Sequence, residues 1–173
     1  MVRKDFIWPI AILTIICLVA SSGLSLVNGL TAPMIDLADA ERQMLAMNAI
    51  LPTATGFEEI DDVELPRTVR EAFRSENGVG YIVVVSVNGY NGEIRVLCGI
   101  DADGKIISAK TLSHSETKGF GDFLDQDWYT GQFDGKDSRL EGISTVTGAT
   151  ISSTAFMNAI REALAAFELI RGV

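Results

Sequence analysis

A long stretch without any charged residue, from Phe6 to Ile35, opens the chain. A helix needs about 20 apolar residues to cross a bilayer, and the most apolar part of the stretch, Ile7 to Leu30, is longer than that. A secretory signal has an apolar segment of only about 7–15 residues before its cleavage site. The pattern therefore predicts a single-pass transmembrane anchor over residues 1–35. Because residues 20–23 resemble a cleavage site, a cleaved signal remains an alternative.

Charges on the two sides of this stretch indicate its orientation. Arg3 and Lys4 precede it, whereas Asp36 and Asp39 follow it. The positive-inside rule then predicts a cytoplasmic N-terminus and places the rest of the chain on the extracytoplasmic side of the cytoplasmic (inner) membrane. The net charge of −9 argues against nucleic-acid binding. Cys17 and Cys98 lie outside any CxxC or Cys/His cluster, so zinc and iron–sulfur sites have no ligands.

Residues 36–79 are predicted to form a helical connecting region. Apolar residues recur among charges from Ile35 to Leu51, which indicates an amphipathic helix that ends before Pro52. An acidic loop over residues 53–66 and a short helix from Arg67 to Ser75 complete the region.

Residues 80–173 are predicted to form one domain of the α+β class, an antiparallel sheet packed by helices. Runs rich in β-branched residues, joined by Asn-Gly and Asp-Gly turns, predict a meander of three strands, at Tyr81–Val87, Glu93–Ile100 and Lys105–Leu112. A closing helix from Ile151 to Ile170 places four apolar residues on one face, namely Phe156, Ile160, Leu164 and Phe167.

Two clusters of small and hydroxyl residues follow the meander. Residues 113–122 would allow a flat ligand to approach closely, although an ordinary glycine-rich surface loop explains them as well. Residues 145–153 stand before the closing helix, where free N–H groups and the helix dipole favour a phosphate. The hydroxyls of Thr147, Thr150, Ser152 and Ser153 could add hydrogen bonds, or Ser152 or Ser153 could merely cap the helix.

The two clusters, in this order behind a membrane anchor, resemble the small FMN-binding domain family. Its best-known members are the G subunit of the Rnf electron-transport complex and the C subunit of the sodium-pumping NADH:quinone reductase. The family's Ser/Thr-Gly-Ala-Thr motif is matched by Thr147 to Thr150. Its His-x-Glu-Thr-Pro-Gly-Leu-Gly loop is matched by His114, Glu116, Thr117, Gly119 and Gly121, with Lys118 and Phe120 in place of proline and leucine.

The resemblance implies FMN joined covalently by a phosphoester to Thr150, the work of a separate flavin transferase. It assigns residues 80–173 as the FMN-binding domain. Around the flavin we expect Thr147, Gly148 and Ala149 near the phosphate and Glu116, Thr117, Gly119 and Phe120 along the isoalloxazine. Ser152 and Leu112 complete the set of predicted cofactor-binding residues. His114 could donate a proton, but a lone histidine is more often structural.

The implied function is electron transfer within an ion-translocating ferredoxin:NAD oxidoreductase of the Rnf type, together with other membrane subunits of that complex. The compact length favours this assignment over the C subunit of the sodium-pumping reductase. A stand-alone flavin module and a membrane-tethered scaffold domain without redox chemistry remain as alternatives.

Overall fold

A computed structural model describes residues 4–172, which form a long N-terminal helix, an antiparallel sheet and a C-terminal helix. The elements in chain order are helix α1 (Lys4–Ile50), strands β1 (Phe57–Glu59), β2 (Val69–Ser75), β3 (Tyr81–Asn88), β4 (Glu93–Ile100) and β5 (Ile106–His114), a 3-10 turn (Asp122–Asp125), helix α2 (Asp127–Thr130), a second 3-10 turn (Gly131–Phe133) and helix α3 (Thr150–Arg171). The predicted α+β class is confirmed.

The chain divides into two compact units between Arg42 and Gln43, inside α1. In the first unit, the apolar residues of α1 are exposed, and the helix is long and apolar enough to cross a bilayer. Such a surface is unfavourable in water, so this helix fits the predicted single-pass anchor. Arg3, on which the predicted orientation partly depends, lies outside the described residues.

The second unit is built on a five-stranded sheet in the order β1-β2-β3-β4-β5, and every neighbouring pair is antiparallel. The three strands of the predicted meander are confirmed as β3, β4 and β5. The predicted short helix at Arg67 to Ser75 is wrong, because these residues form β2 and pair with β3. The predicted loop over residues 53–66 contains the short edge strand β1.

Each face of the sheet carries its own apolar core. On one face, Val83, Cys98 and Ala109 pack with α3, whose predicted apolar face is confirmed as buried. On the other face, Met47 and Ile50 of the last turn of α1, and Leu51 directly after it, pack against the middle strands. The predicted end of the amphipathic helix before Pro52 is also confirmed, since α1 ends at Ile50.

Candidate functional site

A cavity of about 550 Å³ opens where the β3–β4 turn, the segment after β5 and the start of α3 meet. Small-molecule sites typically occupy about 300–1,000 Å³. Both predicted clusters contribute to its wall, which consists of Tyr90, Glu116, Thr117, Phe120, Gly148, Ala149, Thr150, Ile151 and Ser152.

A tight turn leads the chain into α3. The Ala149 N–H donates a hydrogen bond of 3.0 Å to the Val146 oxygen, and Gly148 has φ of +85° at the third position of this turn. A positive φ at that position is the mark of a type II turn and favours glycine. A Cβ built at Gly148 would meet no atom within 4 Å, so backbone conformation rather than space selects glycine here.

The N-terminus of α3 lies on the cavity with no side chain capping it. Ala149 holds the N-cap position without a side-chain hydrogen bond, and the first helical hydrogen bond runs from Ser153 N to Ala149 O. The N–H groups of Thr150, Ile151 and Ser152 precede that bond, so they have no partner within the helix. Such a terminus binds anions through its N–H groups and its dipole.

The alternative that Ser152 or Ser153 caps the helix is wrong. Both residues are buried inside the first turn of α3. The Ser153 hydroxyl donates to the Ala149 oxygen at 2.9 Å and accepts from the Val146 N–H at 3.3 Å, which braces the turn. The Ser152 hydroxyl instead donates across the cavity wall, to Glu116 Oε2 at 2.8 Å.

The carboxylate of Glu116 also accepts from the β3–β4 turn. Its Oε1 atom receives hydrogen bonds from the N–H groups of Tyr90 at 2.8 Å and Asn91 at 3.2 Å. Glu116 therefore joins the turn to the start of α3.

His114 is engaged on both ring nitrogens. Its Nδ1 atom accepts from the Glu116 N–H at 3.2 Å, and its Nε2 atom lies 3.2 Å from Asp125 Oδ2. An accepting Nδ1 places the ring proton of the neutral form on Nε2, from which it is donated to Asp125. His114 is absent from the cavity wall, so this geometry supports a structural role.

Seven of the predicted cofactor-binding residues line the cavity together, and three do not. Gly119 and Thr147 belong to the two segments that form the wall, but they do not line the cavity themselves. Leu112, near the end of β5, does not line it either. Two lining residues were not predicted, Tyr90 and Ile151. Both have large side chains that remain mostly exposed, at 71% and 57%. For Tyr90, the signal available in the sequence was an aromatic residue within a turn.

The cavity fits a ligand with an anionic end and a flat apolar end. The uncapped start of α3 offers N–H groups at one part of the wall, beside the exposed hydroxyl side chain of Thr150. Tyr90 and Phe120 offer aromatic surface, and Phe120 is 64% exposed. An FMN group has this combination of a phosphate and a planar ring system.

Comparison with known proteins gives consistent matches. The FMN-binding domain family matches residues 89–165. The G subunit of an ion-translocating oxidoreductase complex from Methanosarcina acetivorans is 33% identical, over 93% of this chain and 94% of that protein. The G subunit of a Na(+)-translocating ferredoxin:NAD(+) oxidoreductase complex from Acetobacterium woodii is 30% identical, over 91% and 89%.

Two further matches extend this pattern. The G subunit of a proton-translocating ferredoxin:NAD(+) oxidoreductase complex from Clostridium ljungdahlii is 28% identical, over 88% of this chain and 86% of that protein. Among solved structures, Shewanella oneidensis NqrC has a similar fold, with a TM-score of 0.51 and 17% identity over 66% of this chain and 72% of that chain.

Proposed function

The chain belongs to the family of G subunits of ion-translocating oxidoreductase complexes, which carries an FMN-binding domain, and from this premise we propose that it holds FMN covalently on Thr150. It is a membrane-anchored flavoprotein of electron transport, and it acts as one part of an oxidoreductase complex rather than as a catalyst alone.

One observation supports Thr150 as the attachment site. Thr150 is the first residue of α3, its side chain is exposed, and the N-cap before it supplies no side-chain hydrogen bond. A phosphodiester on its hydroxyl would therefore lie at the positive end of the helix dipole, which typically stabilises a negative charge by about 0.3–1 kcal/mol at exposed sites. The type II turn at Gly148 fixes the direction in which the chain enters the helix.

The other predicted residues divide between the two ends of the flavin. Near the phosphate we place Gly148, Ala149 and Ser152 of the wall, with Thr147 in the same turn. Along the ring we place a second group, which consists of Glu116, Thr117 and Phe120 of the wall, with Gly119 in their loop and Leu112 in β5 before it. Tyr90 joins this group, because it is exposed on the same cavity.

Attachment requires a separate flavin transferase with FAD as the donor. The Thr150 oxygen forms a bond to the phosphorus of the FMN half, the pyrophosphate bond to the AMP half breaks, and AMP leaves with the hydroxyl proton. The bound flavin supplies electron transfer, while the protein binds and orients it. A covalent link also prevents the loss of a cofactor that faces away from the cytoplasm.

The charges on the two sides of the apolar span support a proposed position in the membrane. Arg3 and Lys4 precede the apolar span, and an acidic domain follows it. We therefore place the FMN domain on the extracytoplasmic side of the inner membrane, where it exchanges electrons with other membrane subunits of an Rnf-type complex. The similarity to NqrC is one of fold at 17% identity, whereas the relatives aligned over most of the chain are named G subunits.

Denaturing electrophoresis of the full-length chain, coexpressed with a flavin transferase, tests the attachment. Flavin fluorescence should remain in the protein band. Thr150→Ala should abolish it, and the intact mass of this variant should equal the mass calculated for the variant without flavin. Thr145→Ala is a matched control, since it removes another exposed hydroxyl from the same loop. Fluorescence that persists in Thr150→Ala would reject this acceptor. A wild-type chain without flavin would favour a scaffold domain instead.

A further inference from the structure

We propose that Glu116 is a positioning residue, whose carboxylate fixes the start of α3 relative to Tyr90 so that a flavin on Thr150 is held against the Tyr90 side of the cavity. This inference rests on the proposed attachment of FMN. It changes the role of Glu116 from a residue that lines the flavin ring to one that aligns two walls of its site.

The hydrogen bonds of Glu116 reach both walls at once. Oε1 accepts from two backbone N–H groups of the β3–β4 turn, those of Tyr90 and Asn91. Oε2 accepts from the Ser152 hydroxyl, two residues beyond Thr150 in the chain. Hydrogen bonds to a charged carboxylate contribute more to stability than hydrogen bonds between neutral groups. A single side chain therefore couples the aromatic wall to the helix that carries the acceptor.

Two glycines make room for this side chain. A Cβ built at Gly89 would lie 2.1 Å from Glu116 Oε1, and one built at Gly121 would lie 2.2 Å from Glu116 Cβ. Gly121 has φ of −101° and ψ of −11°, which any residue adopts. The backbone conformation therefore does not require glycine at position 121. Glycine is required there because Glu116 occupies the space that a Cβ would take.

The backbone of Glu116 is held as well as its carboxylate. Its N–H donates to His114 Nδ1 at 3.2 Å, and the same imidazole faces Asp125 through Nε2. His114 therefore fixes the backbone between the end of β5 and Glu116. His114 thus has a structural role in positioning Glu116.

Replacement of Glu116 by glutamine preserves its size but removes its charge. The amide oxygen can accept from the turn, and the NH₂ group can donate to the Ser152 hydroxyl, which then accepts. Both links then remain only as neutral hydrogen bonds, which are weaker than hydrogen bonds to a carboxylate. Glu116→Gln should therefore leave Thr150 exposed and reactive, while the β3–β4 turn and the start of α3 are held together less firmly.

Fluorescence of the attached flavin in the folded full-length protein reports on this separation. A tyrosine ring close to an isoalloxazine quenches its emission, and a held ring gives high anisotropy. Glu116→Gln should keep the flavin in denaturing gels, but its emission should rise several-fold and its anisotropy should fall toward that of the urea-unfolded sample. Ser152→Ala, which retains the carboxylate but removes its link to α3, should show the same changes.

A pair of glycine variants tests the same inference without altering any charge. Gly121→Ala places a Cβ against Glu116, whereas the nearest atom to a Cβ at Gly131 is 4.0 Å away. We expect Gly121→Ala to reproduce the emission change and Gly131→Ala to match the wild type. Amide exchange of Tyr90 and Asn91 should accelerate at least tenfold in Glu116→Gln, with or without flavin.

Wild-type emission and amide exchange in both Glu116→Gln and Gly121→Ala would overturn the proposal. Folded Glu116→Gln that has lost its flavin, while Ser152→Ala keeps it, would also overturn it, because Glu116 would then act in the attachment reaction. If Glu116→Gln does not fold, the same emission and amide-exchange measurements on Ser152→Ala and Gly121→Ala test the proposal. A wild-type chain without flavin would reject the proposed attachment, whereas amide exchange in that sample would still test the link through Glu116.

Discussion

The buried hydroxyl of Tyr129 donates a hydrogen bond of 3.0 Å to the main-chain oxygen of Ser153, in the first turn of α3. The ring is fully buried and makes edge contacts with four neighbours, Phe123, Trp128, Phe133 and Phe156. Burial raises the pKa of Tyr129, so the phenol remains a donor at neutral pH. Through this bond, the aromatic core beneath the cavity holds the helix turn that begins at Thr150.

Tyr129→Phe should lower the free energy of unfolding by about 1 kcal/mol, since one hydrogen bond is lost while the ring packing remains. Urea denaturation of the full-length chain in detergent measures this change. Tyr90→Phe is the control, because its side chain is mostly exposed, and it should leave the unfolding midpoint unchanged. Equal midpoints for both variants would show that the buried hydroxyl contributes nothing to stability.

Gly148→Ala should destabilise the protein by about 1–2 kcal/mol and reduce flavin attachment. The cost arises because alanine at φ of +85° brings its Cβ too close to the neighbouring carbonyl. Attachment should fall because the turn at Gly148 sets the position of Thr150.

Gly78→Ala separates the two effects. Gly78 also has a positive φ, of +71°, and a Cβ there meets no atom within 4 Å, but it lies between β2 and β3, away from the cavity wall. It should lower the unfolding midpoint to a similar degree and leave the flavin fluorescence of the denatured band intact. Equal loss of attachment in both variants would mean that instability alone explains the effect of Gly148→Ala.

Local pattern was sufficient to predict the middle of the fold but not its edge. Strands β3 and β4 are rich in β-branched residues and are joined by a glycine turn, so nearby sequence determines them. β2 contains Arg, Glu and Ala, which favour a helix. Its buried residues Val69, Ala72 and Ser75 do not alternate as in a simple strand: a bulge near Arg70 shifts the register after Val69, and Ala72 and Ser75 lie on opposite faces of the sheet. Only pairing with β3 makes this segment a strand.

The site shows the same division between local and distant determinants. The position of Thr150 could be predicted, because a hydroxyl-rich motif directly precedes a strongly periodic helix. Tyr90 was missed although it is an aromatic residue within a turn, because it meets the rest of the cavity wall through Glu116, which is 26 residues further along the chain. No periodicity or turn signal in a single sequence connects two such positions.

Cys98 should make the protein lose stability under alkaline conditions. Burial raises the pKa of its thiol to about 12, whereas the unfolded chain ionises near the ordinary value of about 8.5. Between these values the unfolded state binds fewer protons than the native state, so the free energy of unfolding falls as pH rises, by at most about 1.4 kcal/mol per pH unit. Below about pH 8 the Cys98 thiol is protonated in both the folded and the unfolded state, so its ionisation causes no loss of stability.

Cys98→Ala removes this titration. Its unfolding midpoint in urea should be lower than that of the wild type at pH 8, owing to the lost packing, but it should decline less between pH 8 and pH 10. Parallel pH profiles for the two proteins would show that the thiol is not protected from ionisation in the folded state.

The proposed orientation predicts which surfaces a membrane-impermeant maleimide can reach in intact spheroplasts. This orientation depends on Arg3 and Lys4, which the positive-inside rule retains in the cytoplasm, and on a span that is followed by an acidic domain. Cys17→Ala provides the background for new cysteines, since Cys98 is fully buried and should not react in the folded protein. In that background, Asp103→Cys, at an exposed turn between β4 and β5, should be labelled in intact spheroplasts. Val2→Cys should be labelled only after lysis, and the reverse pattern would place the flavin domain in the cytoplasm.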